Sequence, residues 1–377
     1  MKVLAIGGAT IDTIVSIADD HIERMMLRNA GVAYRLLEVG RKTEAEDLSV
    51  HCGGGAVNAS VAFSRLGNEA SALVKLGRDF RADLILTRLA AEGISTRFVV
   101  RDECSPTGAS VLVSAHDRNT AVVTFRGANT RLNVSDLDDL AFAVDLVHVA
   151  SLSDASADCF PEIVARAKAA GTFVVANPGI RQLSTRQDAF RATLPHIDIL
   201  SVNRHEASAL VPWLSTLSVA DGAQQHNPTD QDGMPALVGG GILGGEWTMS
   251  LAAFFTKLTT VGPPMVVVTD GGNGAYIGTR SGVTHCPALP VEIVGTAGAG
   301  DAFNATFAGL ILSGASVGEA ATAAAINSAS VISHLDTQTG LLDREELAAR
   351  IAAQRDHLQI RYWPSTETAI GRVVPHR

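Results

Sequence analysis

A single carboxylate stands at the end of a run of very small residues in the segment "GTAGAGDAFNA". Gly298, Ala299 and Gly300 directly precede Asp301, and an apolar stretch with helical character follows. The first amides of a helix lack intrahelical partners and carry partial positive charge, and small side chains leave them open to a ligand. The pattern therefore favours a cradle for an oxyanion or a phosphoryl group, with Asp301 placed to accept a proton from an attacking hydroxyl. An ordinary aspartate cap after a glycine turn is the alternative.

Such a site needs a scaffold that brings distant loops together, and the rest of the chain predicts one. Short apolar runs alternate with stretches of helical periodicity along most of the sequence. Strands are predicted at "VLAIGG", "SALVKLG", "LVHVAS", "TFVVANPG" and "HIDILSVN", with helices between or after them, and "MVVVTDGGNGAYIG" predicts two strands around a tight turn. This alternation is typical of an α/β fold whose mostly parallel sheet is covered by helices on both faces.

Three segments do not fit the alternation. Two β-rich runs flank a turn in "TGASVLVSAHDRNTAVVTF", which predicts a hairpin, and with it residues of about 13–50 and 107–125 are candidates for a small β-rich lid. Inside the first of these ranges, "DDHIERMMLRNAG" has the spacing of a helix. Residues 221–247 are rich in Gly, Pro, Asn and Asp, which predicts an irregular surface insertion within a single domain of residues 1–377.

The composition argues against several classes of protein. The chain has 377 residues, is 46% hydrophobic and carries a net charge of −9, so it can bury a large core and has no basic surface for nucleic acid. Its cysteines are far apart and predict neither a zinc site nor a disulfide framework. No apolar run has the length of a membrane span. We expect a reduced, cytoplasmic protein without nucleic-acid or membrane partners.

Two signatures, in the same order and at a wide separation, resemble those of the PfkB (ribokinase-like) family of carbohydrate kinases. "GTAGAGDAFNATFAGL" is similar to the family's GAGD block, and "GGGAVNASVAFSRLG" is similar to its N-terminal glycine block. "VNRHE", "RGANTRL" and "VVVTDGGNGAY" resemble further blocks, so the resemblance covers nearly the whole chain apart from residues 221–247. It implies a ribokinase-like three-layer α/β/α fold with a lid. The implied activity is an ATP- and Mg²⁺-dependent kinase that phosphorylates a hydroxymethyl group of a sugar such as ribose, fructose or a sugar acid.

The resemblance also implies a role for each matched position. Asp301 would be the catalytic base, and Gly298, Ala299 and Gly300 would form the anion hole. The residues implied to bind the substrate are Asp12, Gly54, Gly55 and Asn58. The residues implied to bind the nucleotide are Asn203, Glu206, Thr269, Gly271, Gly274 and Asn327. Glu206 would also hold Mg²⁺ through water, because Mg²⁺ keeps several of its waters.

Two departures from the family pattern concern a monovalent-cation site. The family often has an aspartate six residues before the catalytic one, where this chain has Gly295. It also often has a Gly-Ala pair after the last long helix, where this chain has "SHLDTQTG". The missing carboxylate argues against activation by K⁺, while the base and the anion hole are intact.

Several alternatives remain open from the sequence. A nucleoside kinase of the same family is possible because a nucleoside is also a polyol with one exposed CH₂OH. A non-catalytic sugar- or nucleotide-binding protein on the kinase fold is compatible with the Gly295 departure. A Rossmann dehydrogenase is disfavoured because "AIGGATID" lacks GxGxxG. Exposed lid strands often pair between subunits, and the family often dimerises in that way, so we expect a homodimer through the lid.

Overall fold

The computed structural model describes residues 1–18, 23–27, 32–40, 42–114, 121–218, 234–354 and 358–365. Its strands are β1 (Lys2–Ile6), β2 (Thr10–Ser16), β3 (Glu23–Leu27), β4 (Val32–Leu36), β5 (Asp47–Gly53), β6 (Glu69–Leu73), β7 (Lys75–Leu76), β8 (Val100–Arg101), β9 (Gly108–Ser114), β10 (Ala121–Phe125), β11 (Leu146–Val149), β12 (Phe173–Ala176), β13 (Ile199–Asn203), β14 (Ile242–Gly244), β15 (Trp247–Met249), β16 (Met265–Thr269), β17 (Ala275–Thr279), β18 (Gly282–Cys286) and β19 (Arg361–Pro364). Its α-helices are α1 (Gly55–Arg65), α2 (Phe80–Ala91), α3 (Phe160–Ala169), α4 (Ile180–Thr185), α5 (Gln187–Thr193), α6 (Arg204–Ser215), α7 (Ala236–Gly240), α8 (Leu251–Val261), α9 (Ala299–Leu312), α10 (Val317–Ile332) and α11 (Arg344–Gln354).

A nine-stranded sheet forms the centre of the fold, in the order β19-β18-β17-β16-β13-β12-β11-β1-β6. The strands from β16 to β6 pair in parallel, and β17, β18 and β19 add an antiparallel edge. In a parallel sheet the carboxyl ends of the strands meet along one edge, which is where ligands bind in such folds. The mostly parallel sheet that the sequence predicts is confirmed.

Helices cover both faces of this sheet. Leu4 and Ile6 belong to the hydrophobic core on one face, and Val3 and Ala5 belong to the core on the other, as the twofold alternation of a strand requires. The first core contains buried residues of α3, α5, α6 and α8, whereas the second contains buried residues of α1, α2, α9 and α10. The result is the predicted three-layer α/β/α arrangement.

A second sheet of four strands, in the order β10-β9-β2-β5, lies at the end of β1. β2 pairs with β5 in antiparallel and with β9 in parallel orientation, and β9 and β10 form the predicted hairpin. Its strands begin earlier and end later than the sequence suggests, since β2 starts at Thr10 and β5 extends to Gly53.

One predicted helix is wrong. Residues 23–27 and 32–36, within or beside "DDHIERMMLRNAG", are the antiparallel strands β3 and β4, in which Glu23 pairs with Leu36 and Leu27 with Val32. The pairing with the following segment decides the conformation, because a short segment with mixed spacing carries little intrinsic helical preference.

The predicted irregular insertion is partly wrong. Of residues 221–247, those at 221–233 lie outside the described residues. The remainder contains α7, the strand β14 and the first residue of β15. Leu237 and Ile242 are fully buried in the core on the α6 side, so their burial organises this part of the segment.

Within the described ranges, no helix combines the length and the apolar character needed to cross a bilayer.

Candidate active site

Helix α9 begins at Ala299 and carries the small residues at its start. Gly298 is the N-cap with φ of +78°, a left-handed conformation that favours glycine. A Cβ at Gly298 would lie 2.7 Å from Cβ of Thr337, so the loop has no room for a side chain there. At Gly300 a Cβ would meet nothing within 4 Å, so open space borders the first helical amides. This geometry suits an anion at the helix start.

Asp301 lies in the first turn of α9 and is half-buried. Its Oδ2 accepts a hydrogen bond of 2.8 Å from Nδ2 of Asn58, on α1. Burial raises the pKa of Asp301 to about 6, and the Asn58 hydrogen bond opposes that rise by stabilising the charged form. Gly55 lies alongside, because a Cβ there would be 3.5 Å from Oδ1 of Asp301. The structure thus brings together three of the predicted residues from the two ends of the chain.

Asp12 lies on β2 in a row of polar side chains across the second sheet. Asp12 is in register with His51 of β5 and Ser110 of β9. The hydroxyl of Ser110 donates to Oδ1 of Asp12. Burial raises the pKa of Asp12, and hydrogen bonds from Ser110 and Thr10 lower it. A Cβ at Gly53 would fall 2.0 Å from Oδ2 of Asp12, so glycine at 53 makes room for this carboxylate.

The turn that leads into β2 is fixed by hydrogen bonds to both backbone groups of Ala9. Asn129, in the "RGANTRL" segment, accepts at 2.9 Å from the amide of Ala9 and donates at 2.8 Å to its carbonyl. Gly54 has φ of +95°, and a Cβ there would lie 2.5 Å from the carbonyl oxygen of Gly8. The lack of a side chain at Gly54 is therefore required by the protein's own packing. These contacts fix where β2 starts and hence where Asp12 lies.

A cavity of about 160 Å³ opens beside the start of α9. Five of the implied residues line this space, namely Thr269, Gly271 and Gly274 of the nucleotide set and Ala299 and Gly300 of the anion hole. Most of the other lining residues are apolar, such as Phe303 and Leu289. At Gly271 a Cβ would meet nothing within 4 Å, whereas at Gly274 it would lie 2.1 Å from the carbonyl oxygen of Cys286. The apolar walls suit an aromatic ring, and the helix start at one end favours an anionic group.

Asn203 and Glu206 form a capping box at the start of α6. Oδ1 of Asn203 accepts from the amide of Glu206 at 2.9 Å, and Oε2 of Glu206 accepts from the amide of Asn203 at 2.8 Å. Asn203 is also the register partner of Thr269 across β13 and β16, so the capping box lies close to the cavity that Thr269 lines. Burial raises the pKa of Glu206, and the negative charge of Asp301 adds to the rise. Glu206 therefore lies within the electrostatic reach of the reaction centre.

In the part of the chain that the structure describes, no three His, Cys, Asp or Glu side chains converge as a metal site. A Mg²⁺ ion bound mainly by phosphates and water, with one carboxylate acting through water, requires no such convergence. The residues present fit that mode of binding.

The structure does not support a contact between Asn327 and a nucleotide. The side chain is fully buried. Its Nδ2 donates to Oγ1 of Thr306 at 2.8 Å, and its Oδ1 accepts from the amide of Leu342 at 2.9 Å. Both polar groups are used in tying α10 to α9 and to the loop before α11. The neighbours Ser328 and Ala329 line the cavity instead.

Sequence reasoning missed residues that support the site from behind. They include Gly53, Ser110, Asn304, Thr337 and Gln338. Oδ1 of Asn304 accepts from the buried hydroxyl of Ser201 at 2.6 Å, which ties α9 to β13. Thr337 and Gln338 belong to "SHLDTQTG", where the departure from the family's Gly-Ala pair was the available signal. The partners of these residues are distant in sequence, so only the fold reveals their contacts.

Known proteins resemble this chain in sequence and in fold. The sequence model described as "pfkB family carbohydrate kinase" matches residues 22–237 and 243–344. The chain belongs to this family. Within the PfkB family, the deoxyribokinase of Salmonella typhi is 27% identical over 273 residues, which are 71% of this chain and 77% of that protein. A nucleoside kinase of Methanothermobacter thermautotrophicus is 25% identical over 354 residues, covering 93% of this chain and 96% of its own.

Solved structures share the fold. A ribokinase-type protein of E. coli, crystallised with ATP and Mg²⁺, superposes with a TM-score of 0.72 at 18% identity and covers 93% of this chain and 99% of its own. At this identity the likeness demonstrates the ribokinase fold, in agreement with the fold that the sequence predicts.

Proposed function

We propose that this PfkB-family protein transfers the γ-phosphoryl group of ATP to a hydroxymethyl group of a sugar. The observation that carries the proposal is the position of Asp301. This half-buried carboxylate lies in the first turn of α9, directly beside a cavity lined by the anion-hole and nucleotide residues. A base, an anion cradle and a nucleotide slot are the parts that phosphoryl transfer to an alcohol requires.

Each group in the site has a chemical task. Asp12, with Asn58 and the backbone at Gly54 and Gly55, binds sugar hydroxyls, since a carboxylate accepts paired OH groups. Asp301 accepts the proton of the attacking hydroxyl. The amides at the start of α9 stabilise negative charge on the phosphoryl group in the transition state. When bound, ATP supplies the phosphoryl group and Mg²⁺ neutralises phosphate charge, with Asn203, Glu206, Thr269, Gly271 and Gly274 as the residues that would hold them.

We propose no activation by K⁺. A Cβ at Gly295 would lie 2.8 Å from the carbonyl oxygen of His334 and 3.0 Å from that of Leu335. The backbone of this loop is therefore in contact with residue 295 itself, and an aspartate could not be placed here without displacing it. Equal rates in potassium and in tetramethylammonium salts are expected.

We further propose that the second sheet acts as a lid and as a dimer contact. The face that carries Asp12, Ser110 and His51 is the substrate side, and closing it would exclude water that competes as phosphoryl acceptor. The opposite face presents Val50, Val111 and Val123 in one register row, all exposed. A second copy of the chain would bury this row.

The substrate assay tests the proposal. ADP release is measured with ATP and Mg²⁺ against pentoses, hexoses, sugar acids and nucleosides, with and without K⁺. A strong response to one sugar supports the proposal, and a response confined to nucleosides would replace it with the nucleoside-kinase alternative. Bound nucleotide without turnover on any polyol would indicate a binding protein that retains the fold.

A further inference from the structure

Residues 336–338, after α10, touch both halves of the proposed reaction centre. Thr337 packs against Gly298 at the anion hole, as the 2.7 Å approach of a Cβ there demonstrates. Oγ1 of Thr337 donates to Oδ1 of Asn58 at 2.9 Å, and Nε2 of Gln338 donates to the same oxygen at 3.0 Å. Both side chains are buried, with exposed fractions of 7% for Thr337 and 2% for Gln338. The carboxylate of Asp336 accepts from the amide of Gln338 at 2.8 Å and so fixes the loop.

The hydrogen bonds from this loop to Asp301 have a direction. Nε of Arg88, on α2, donates to Oε1 of Gln338 at 2.9 Å. A guanidinium group has no acceptor, so the Gln338 oxygen must face Arg88 and its NH₂ must face Asn58. The Asn58 oxygen then faces Gln338, and the Asn58 NH₂ faces Asp301. An ionised carboxylate can only accept hydrogen bonds. Arg88 at one end of this series of hydrogen bonds and Asp301 at the other therefore require the same orientation of the two amides.

We propose that Gln338 is a positioning residue of the phosphoryl transfer. Held by Arg88, it sets the orientation of the Asn58 amide and so keeps an N–H directed at Asp301. The inference rests on the proposed function, since it assigns Asp301 as the base. Gln338 does not touch the base and acts entirely through Asn58.

Rotation of the Asn58 amide by half a turn would make Asp301 a less effective base. A rotated Asn58 amide would present its oxygen to the carboxylate, and two facing oxygens favour the protonated acid. Several charged groups surround these hydrogen bonds. They are Arg65, Arg88 and Glu92 near Gln338, His51 beside Asp336, and Glu206 near Asp301. Glu206 lies within the electrostatic reach of Asp301, and the hydrogen bond from Asn58 is the side-chain contact that favours the ionised carboxylate of Asp301.

The test uses two variants at one position and a matched control. Gln338→Glu keeps the shape and can accept from Arg88, but an ionised carboxylate cannot donate to Asn58. Gln338→Met keeps the volume without adding charge and also lacks the donor. Gln187→Glu is the control, because Oε1 of Gln187 accepts from Nη2 of Arg191 at 2.7 Å on α5, at an exposed position outside the candidate site.

Two readouts are measured on the full chain. The first is kcat and KM for ATP and for the best substrate. The second is the ¹³C NMR titration of the Asp301 carboxyl group in aspartate-labelled protein, assigned by its loss in Asp301→Asn. The titration needs no substrate, so it decides the inference even if the assay finds no transfer and the proposed function fails.

We expect both Gln338 variants to lose at least about tenfold in kcat with KM for ATP nearly unchanged, because the base is misoriented while the nucleotide cavity is intact. The Asp301 titration should move to higher pH in both, and Gln187→Glu should behave as the wild type. Should Gln338→Glu fail to fold, Gln338→Met carries the same test. An unchanged Asp301 titration in a folded Gln338 variant overturns the inference, as does an equal loss of kcat in Gln187→Glu.

Discussion

At the scale of single residues, the site depends on carboxylates placed where water is scarce. Burial raises the pKa of Asp301 to about 6, although a helix start and the Asn58 donor both favour its charged form. A base with a pKa near the working pH is ionised and still able to take a proton late in the transfer. The same burial acts on Asp12, whose hydroxyl donors offset part of it.

The raised pKa of Asp301 predicts the acid limb of the pH profile. The base must be ionised, so the active fraction falls as the pH drops through about 6, well above the ordinary range of an aspartate. We expect kcat/KM, which reports groups of the free enzyme, to decline below about pH 6. A flat profile down to about pH 5 would contradict this assignment of the base.

The role of Asp12 predicts a defect confined to the sugar. Asp12→Ala removes the acceptor for substrate hydroxyls, so the KM for the sugar should rise by about 10- to 100-fold while the KM for ATP changes little. Asp47→Ala, on an exposed position of β5 in the same sheet, is the control. Equal effects on both substrates, or none, would remove Asp12 from the binding site.

At the scale of elements, the sequence predicts those helices and strands whose conformation is determined by the local pattern of residues. The start of α9 is predictable because glycines followed by an apolar helix leave few other conformations, and the alternating strands and helices follow from their periodicity. The pairing of β3 with β4 cannot be predicted in this way, because it depends on cross-strand contacts. The contact of Thr337 with Asn58 joins residues 279 positions apart, which no local pattern encodes. The sequence context of Asn327 does not reveal that both of its amide groups form hydrogen bonds inside the core.

Strand β11 carries a buried histidine that predicts a pH-dependent stability. His148 is fully buried against Phe63 of α1, and burial lowers its pKa to about 4 from 6.5. The unfolded chain therefore binds more protons between these values, and the free energy of unfolding should fall by about 3 kcal/mol as the pH drops from 6.5 to 4.

The measurement is urea unfolding at several pH values for the wild type and His148→Met. Asp301 titrates in an overlapping window with the opposite sign, since its raised pKa stabilises the folded state at low pH. Because both proteins contain Asp301, their difference isolates His148. A difference that does not vary with pH would show that the pKa of His148 is the same in the folded and unfolded states.

At the scale of the whole molecule, two sheets divide the work. In the proposed site, the loop ends and helix starts around the nine-stranded sheet hold the nucleotide and the base, and the four-stranded sheet contributes Asp12. One face of the smaller sheet carries the polar row, and the other carries an exposed apolar row. The periodicity of the strands therefore separates the proposed substrate face from the proposed subunit contact.

The apolar face predicts the oligomeric state. Val123→Lys places a charge at the β10 end of the row, at a residue with 70% exposure, and should convert a dimer into monomers. Leu140→Lys, at a residue of 61% exposure outside the four-stranded sheet, should leave the dimer intact. Sedimentation velocity distinguishes the two. A wild type that is monomeric at all concentrations would refute the proposed contact.

The most direct test of the central claim is to detect the transferred phosphate. Wild-type protein and Asp301→Asn are incubated with ATP, Mg²⁺ and the polyol panel, and the products are analysed by mass spectrometry and ³¹P NMR. The account predicts a phosphomonoester on a CH₂OH group with the wild type, and a rate lower by about 10²- to 10⁴-fold in the variant, which should still bind nucleotide. Near-equal rates in the two proteins, or a phosphate found elsewhere on the product, would contradict it.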